Sequence, residues 1–163
     1  MDTTLGRLIR EFCVMAKKLT RSQLVKKCDK LFSIFIRLHF SDKDWYVRCY
    51  TCGKRMKRND PECSCGHRIG RAFQYLRWHI NNARPQCMWR CNSKLSGNWE
   101  PLIFRKELVN EIGETAVDEL EQTYFSYRKD PTKFKVHTNE IETKIVALKE
   151  LIQQEAEMRG IKI

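Results

Sequence analysis

A mostly helical α+β fold is predicted for this chain on three observations. Apolar residues recur at helical spacing toward both ends. Around residues 45–69 the pattern changes to short strand-like runs broken by turns. Four cysteines in two close pairs, Cys49 with Cys52 and Cys87 with Cys91, bracket much of that middle stretch. The expected division is an N-terminal helical region over 1–44, a cysteine-pinned core over 45–100 and a C-terminal helical region over 101–163, packed as one compact unit.

The elements follow in order. Leu5, Leu8, Ile9, Phe12, Met15, Ala16 and Leu19 form an apolar stripe over residues 4–19, with Arg7, Arg10, Lys17 and Lys18 off it. Thr20 and Gln23 have the spacing of a capping box for a second helix, whose stripe is Leu24, Cys28, Leu31, Phe32, Phe35 and Ile36 and which ends near His39. Cys13 and Cys28 sit singly on these faces and read as buried thiols. Asp42–Asp44 is a turn, Trp45–Val47 a short strand running into Cys49, and Lys54–Asp60 a loop ending at Pro61. A second strand is expected over Glu62–Ile69, stopped by Gly70, followed by a weak helical pattern over Ala72–Ile80, a loop at Asn81-Asn82 and a helix starting near Cys87. Beyond Pro101 the stripe Leu102, Ile103, Leu108, Val109 and Ile112 stops at Gly113. Thr115 is the expected cap of the next helix, which buries Val117, Leu120, Tyr124 and Phe125 and breaks at Asp130-Pro131. The last segment carries Ile141, Ile145, Leu148, Leu151, Ile152 and Met158 on one side, a face for packing on its own domain or for dimerisation.

Composition narrows the function. The chain has 163 residues and a formal net charge of +11, with a pI near 9.4, which points to a polyanionic partner, nucleic acid above all. No apolar run approaches the roughly 20 residues that span a bilayer, and the N-terminal residues do not form a secretory signal. The eight cysteines are therefore expected in a reducing cytosol, where close pairs bind metal in preference to forming disulfides.

Cys49-x-x-Cys52 followed by Gly53 has the spacing of a zinc knuckle, and Cys87 with Cys91 supplies a second pair, so these four are expected to hold a structural zinc ion. Cys63 and Cys65 can share one face of a strand; they read either as replacements for a member of that set or as small residues filling a tight hairpin, the latter being preferred. From Cys63 to Trp99 there is no Asp or Glu, while Arg68, Arg71, Arg77, Arg84, Arg90 and Lys94 all fall inside, the composition of a surface for a phosphate backbone. His67 lies between the cysteine pairs and, neutral near pH 7, can take a proton from a water attacking phosphorus. Magnesium or manganese held by oxygen ligands can supply the positive charge, and Asn82 and Asn92 can contribute amide oxygens or fix the imidazole tautomer.

The run Tyr50-Thr-Cys-Gly-Lys54, Cys65-Gly-His-Arg68, Arg77-Trp78, Pro85-Gln-Cys87, Cys91-Asn92 and Ser96-Gly-Asn98 resembles the phage recombination proteins of the NinG, or Rap, family. The likeness continues through Lys106–Gly113 and Ala116–Glu121 and reaches back to Lys30–Phe32 and Ile36–Leu38, covering roughly residues 28–122. The arrangement is also similar to HNH nucleases, with their ββα-metal unit, and to phage endonuclease VII, which has an asparagine directly after its last zinc cysteine. The resemblance implies an HNH-like core in which His67 is the general base, Asn82 the middle asparagine and Asn92 a ligand of a catalytic divalent ion. It further implies cleavage of branched double-stranded DNA, such as Holliday junctions or displacement loops, in the host cytoplasm, alongside other phage recombination proteins. A resolvase cuts two strands symmetrically, so a homodimer is expected, with helices at 4–40 and 138–159 as candidate interfaces. The alternative is a non-catalytic, zinc-containing DNA-binding accessory protein. Two departures stand out: three residues instead of two separate Cys87 from Cys91, and Ser64-Cys-Gly66 leaves no acid immediately before His67. Glu62 and Asp60 are the nearest upstream carboxylates, and Glu62 is the expected further ligand of the catalytic ion.

Overall fold

The structure, a computed structural model, describes residues 18–93 and 100–161. The first expected helix falls almost wholly outside them, as do Cys13, Lys94 and Asn98. Four helices and two small antiparallel sheets make up the described fold, so it is mostly helical α+β.

Helix α1, Arg21–His39, begins where the capping box places it. The Gln23 N–H donates to Thr20 Oγ1 at 3.3 Å and the Thr20 N–H to Gln23 Oε1 at 2.8 Å, satisfying donors that the first turn leaves free. Its apolar stripe packs against α4, Thr138–Met158, through Leu24, Cys28, Phe32, Phe35 and Ile36 on one side and Ile141, Ile145, Leu148 and Ile152 on the other. These four residues of the α4 stripe are thus covered within the chain, while Leu151 and Met158 of the expected stripe stay exposed. Trp78 and Ala83 join this core from the middle region.

The turn after α1 is closed by Asp42, whose carboxylate accepts from the N–H groups of Asp44 and Tyr46, both at 2.9 Å. Trp45 takes a left-handed φ of 68° there, so the strand starts one residue later than expected. β1, Tyr46–Arg48, pairs with β2, Arg55–Lys57, a strand in what the sequence reads as a loop. Between them Gly53, with φ of +72°, turns the chain so that its N–H donates to the Cys49 carbonyl at 2.8 Å.

β3, Cys63–His67, pairs with β4, Ala83–Cys87, in the register Cys63 with Cys87 through His67 with Ala83. β4 stands where a helix was expected to begin. Its five residues, Ala-Arg-Pro-Gln-Cys, alternate apolar with polar yet are all buried, and the proline at the centre, which cannot donate to a ladder, is what conceals the strand. A single five-residue π-helical turn, Met88–Asn92, follows it. The expected helix over Ala72–Ile80 reduces to two short 3-10 turns, Gln74–Leu76 and Ile80–Asn82.

Helices α2, Glu100–Ile112, and α3, Glu114–Lys129, join through Gly113 alone, whose φ of +86° reverses the chain without a loop. Thr115 consequently lies inside α3 and does not cap it. Phe104, Leu108, Val117 and Leu120 from this pair close over Ile69, Phe73 and Leu76 of the β3–β4 connection, forming a second core. A third, smaller core holds Val47, Met56 and four cysteines. Among the described residues no helix is long and apolar enough to cross a membrane.

Candidate functional site

The four cysteines expected to share an ion converge. The sulfurs of Cys49, Cys52, Cys87 and Cys91 all lie within 4.8 Å of one another, and Cys52 and Cys87 approach to 3.8 Å. The first two come from the β1–β2 turn, Cys87 ends β4, and Cys91 sits in the π turn. The Tyr50 N–H donates to the Pro85 carbonyl at 2.9 Å and the Cys87 N–H to Cys49 Sγ at 3.3 Å, tying the knuckle to β4. Four soft donors at this separation fit a structural metal ion such as zinc. Burial raises the Cys87 and Cys91 thiols. Burial also opposes ionisation of Cys49, yet backbone N–H groups of Cys87, Cys52 and Thr51 outweigh it and hold that thiol below its ordinary value. Cys63 and Cys65 stand outside the cluster; burial pushes them up to about 11 and about 12, as befits inert thiols filling the hairpin.

Beside the cysteine cluster lies an open cleft of about 370 Å³, walled by α1, the loop before β3, β3 itself and the π turn. It brings together His67 and Asn92 with Asp29, Arg37, Asp60 and Arg71. His67 ends β3, half-buried against Phe32, and its Nε2 lies 2.9 Å from the Arg77 carbonyl. A carbonyl only accepts, so Nε2 carries the hydrogen and Nδ1 keeps its lone pair. Burial is the main reason the His67 pKa falls below its ordinary value. The charges of Arg71 and Arg77 act the same way, against the hydrogen bond to Arg77 and the charge of Asp29.

The Arg77 carbonyl is itself held. Asp29 receives the Arg77 guanidinium through two hydrogen bonds, of 2.8 and 2.6 Å, and the Trp78 indole N–H at 2.8 Å. Helix α1 thereby orients His67 through a loop. Sequence reasoning passed over Asp29, although a signal existed: it is the lone carboxylate in a 19-residue helix.

Asn82 is fully buried and does not reach the cleft. Its Oδ1 accepts from the Ile69 N–H at 2.7 Å, and its Nδ2 donates to the Ile69 and Leu76 carbonyls at 3.0 and 2.9 Å. It clasps the β3–β4 connection, and its link to His67 is indirect: the neighbouring Arg68 N–H donates to the Asn82 carbonyl at 2.9 Å. Asn92 behaves differently. Its Nδ2 donates to Ser64 Oγ at 3.0 Å, its Oδ1 enters no hydrogen bond among the described residues, and the residue lines the cleft. Gly66, just before His67, cannot be an acid without rearrangement, because a Cβ there would stand 1.7 Å from Gln86 Oε1.

Glu62 does not line the cleft. Both its oxygens accept from Lys54, at 2.6 and 2.7 Å, so the carboxylates present in the cleft are Asp60 and Asp29. The arginines also divide. Arg84 is 2% exposed, paired with Glu111 at 2.9 Å and stacked between Phe40 and Tyr50, which precludes contact with a phosphate backbone. Arg68 is taken by Glu121 at 2.6 Å and Arg77 by Asp29. Arg71 and Arg90 remain exposed. The acid-free stretch is thus neutralised in part by carboxylates from distant segments.

Comparison with known proteins places this geometry in context. A family model described as Bacteriophage Lambda NinG protein matches residues 11–154. The chain is 34% identical to Protein ninG of Escherichia phage 933W over 109 residues, covering 66% of this chain and 49% of that protein. It is 33% identical to Protein ninG of Escherichia phage lambda over 109 residues (66% and 48%) and 30% identical to that of Salmonella phage P22 over 131 residues (80% and 60%). The chain therefore spans about half the length of the first two relatives. No solved structure matches it.

Proposed function

Since the chain belongs to the NinG family of bacteriophage proteins, we propose that it is a structure-specific endonuclease that hydrolyses phosphodiesters in branched recombination intermediates, Holliday junctions or displacement loops, with an HNH-like ββα-metal core formed by β3, β4 and the turn after them. The observation that carries this reading is His67: an imidazole whose Nε2 is committed to the Arg77 carbonyl, leaving Nδ1 without a proton, in a residue that lines a polar cleft beside four clustered cysteines. Nδ1 takes the proton from a water whose oxygen bonds phosphorus as the bridging P–O bond breaks, and the leaving oxygen takes a proton from solvent. Asn92 Oδ1 and the Asp60 carboxylate are oxygen donors suited to magnesium or manganese, which would supply positive charge at the phosphodiester. Arg71 and Arg37 add charge at the cleft from the protein side. Among the described residues the backbone-contacting role assigned to the basic stretch falls to Arg71 and Arg90, because Arg68, Arg77 and Arg84 are engaged internally. Cutting of two strands in symmetry suits a two-fold dimer on the junction.

A labelled four-way junction in magnesium tests the reading. Wild type is expected to nick it in preference to linear duplex of the same sequence. His67→Ala is expected to lower the cleavage rate about 10²- to 10⁴-fold while junction affinity is kept. Binding without cleavage by wild type, in both magnesium and manganese, would favour the accessory DNA-binding module instead. A wild-type rate in His67→Ala would remove His67 from the chemistry.

A further inference from the structure

The π turn Met88–Asn92 does more than bring a cysteine to the metal cluster. Met88 and Asn92, at its two ends, line the cleft that holds His67. Between them Trp89 is 71% exposed, and Arg90 beside it is exposed as well. The backbone under Trp89 is held at several points. The Met88 N–H donates to the Glu62 carbonyl at 2.7 Å, the Ser93 N–H to the Met88 carbonyl at 3.0 Å, and the Ser93 hydroxyl to the Trp89 carbonyl at 2.8 Å. Cys87 and Cys91, both buried in the four-cysteine cluster, pin the turn from either side. The turn that carries Cys91 has π geometry, a feature often found at functional sites. An indole held out in water on a fixed turn, beside a guanidinium and next to a cleft carrying Arg37 and Arg71, has the makings of a stacking platform for a nucleobase.

We propose that Trp89 and Arg90 form a base-stacking subsite that receives an unpaired or unstacked nucleotide at the branch point of DNA, with the adjoining backbone entering the His67 cleft. The subsite rests on the branched-DNA reading of that cleft. It explains a preference for branches by a mechanism the cleft itself lacks: inside a duplex every base is held between two neighbours, whereas at a branch point that stacking is interrupted and a base is opened at lower cost. Stacking is indifferent to base identity, so the selection it gives is for shape and not for sequence.

The test measures binding apart from cleavage, in calcium in place of magnesium, with a four-way junction carrying 2-aminopurine at the branch and a linear duplex of the same length. Wild type is expected to quench the branch-point 2-aminopurine. Trp89→Ala is expected to abolish the quench and weaken junction binding about 5- to 100-fold, leaving duplex binding within about two-fold. Trp89→Phe should restore most of both signals, and Trp89→Leu should not, which separates stacking from general apolar contact. Because the side chain is largely exposed, each variant should melt with wild type, and a shared loss of duplex and junction binding would overturn the proposal. So would junction binding and quench undiminished in Trp89→Ala, the outcome expected if the indole meets a protein surface instead. If wild type quenches but never cleaves in magnesium, the nuclease reading fails and the stacking subsite stands.

Discussion

His67 has one ring nitrogen committed and one available. The Arg77 carbonyl fixes the hydrogen on Nε2, and burial among Phe32 and neighbouring cations keeps the ring neutral. The sign of the pH effect follows. A base works only when unprotonated, and this imidazole titrates below the ordinary value of 6.5, so the acid limb of the cleavage-rate profile is expected to lie below pH 6.5. Measuring single-turnover rates from pH 5 to 8 at constant ionic strength checks it; a limb centred above 6.5 would contradict the burial argument. The same shift makes the folded state lose stability as pH falls below the unfolded histidine value, because the unfolded chain then binds the proton more readily. At this scale the residue types were legible and their partners were not. Arg84 and Arg71 look alike in the sequence, yet one is sealed between Phe40 and Tyr50 against Glu111 and the other faces solvent at the cleft. Glu62 is nearest to His67 in sequence among the upstream carboxylates, and Lys54 has taken it; Asp29 is far away in sequence and governs the loop that holds the imidazole.

Among the elements, α1 is the one on which the site depends most. Its apolar face meets α4 and its polar face supplies Asp29 and Arg37 to the cleft. Leu148, 2% exposed in the seam between the two helices, is a direct probe of that packing. Leu148→Ala is expected to destabilise the fold by about 2–5 kcal/mol, read as a lower urea midpoint with the slope unchanged. An undiminished midpoint would mean that the seam is not a stabilising core. α1 and the C-terminal helix were readable from their 3.6-residue stripes and the Thr20–Gln23 cap, since both signals are local. β4 was not, because Pro85 at its centre argues against a strand in the sequence, and nothing local shows that Arg84 and Gln86 are buried. The π turn was visible only as an awkward cysteine spacing. The α4 stripe was readable as an apolar face but not as to what covers it; α1 covers Ile141, Ile145, Leu148 and Ile152 and leaves Leu151 and Met158 exposed.

For the molecule as a whole, three small cores are held by different means: helix packing between α1 and α4, the α2–α3 cap over the β3–β4 connection, and the cysteine cluster under the π turn. The third has few apolar residues besides its cysteines, so a bound ion would be its main support. Metal analysis is expected to find one zinc per chain. A high-affinity zinc chelator should remove it, with the β1–β2 knuckle and the π turn losing amide-exchange protection while α1 and α4 keep most of theirs. Cys52→Ser with Cys87→Ser should behave as the chelated protein does. Cleavage should then fail even in saturating magnesium, since Asn92 adjoins a ligand and loses its anchor. Full protection in the absence of zinc would show that the cluster is not a metal staple.

The four cysteines that converge, the cap of α1, most of its buried apolar face and the family were legible in the chain alone, because each is written in short-range spacing or in residue identity. The tertiary structure decided which charges are free, which carboxylates stand near His67, and how Asn82 and Asn92 divide between clasping a loop and facing a cleft. The reason is physical: hydrogen bonds and ion pairs depend on distance through space, and the partners of Arg68, Arg77 and Arg84 come from Glu121, Asp29 and Glu111, brought near by the packing of helices far along the chain.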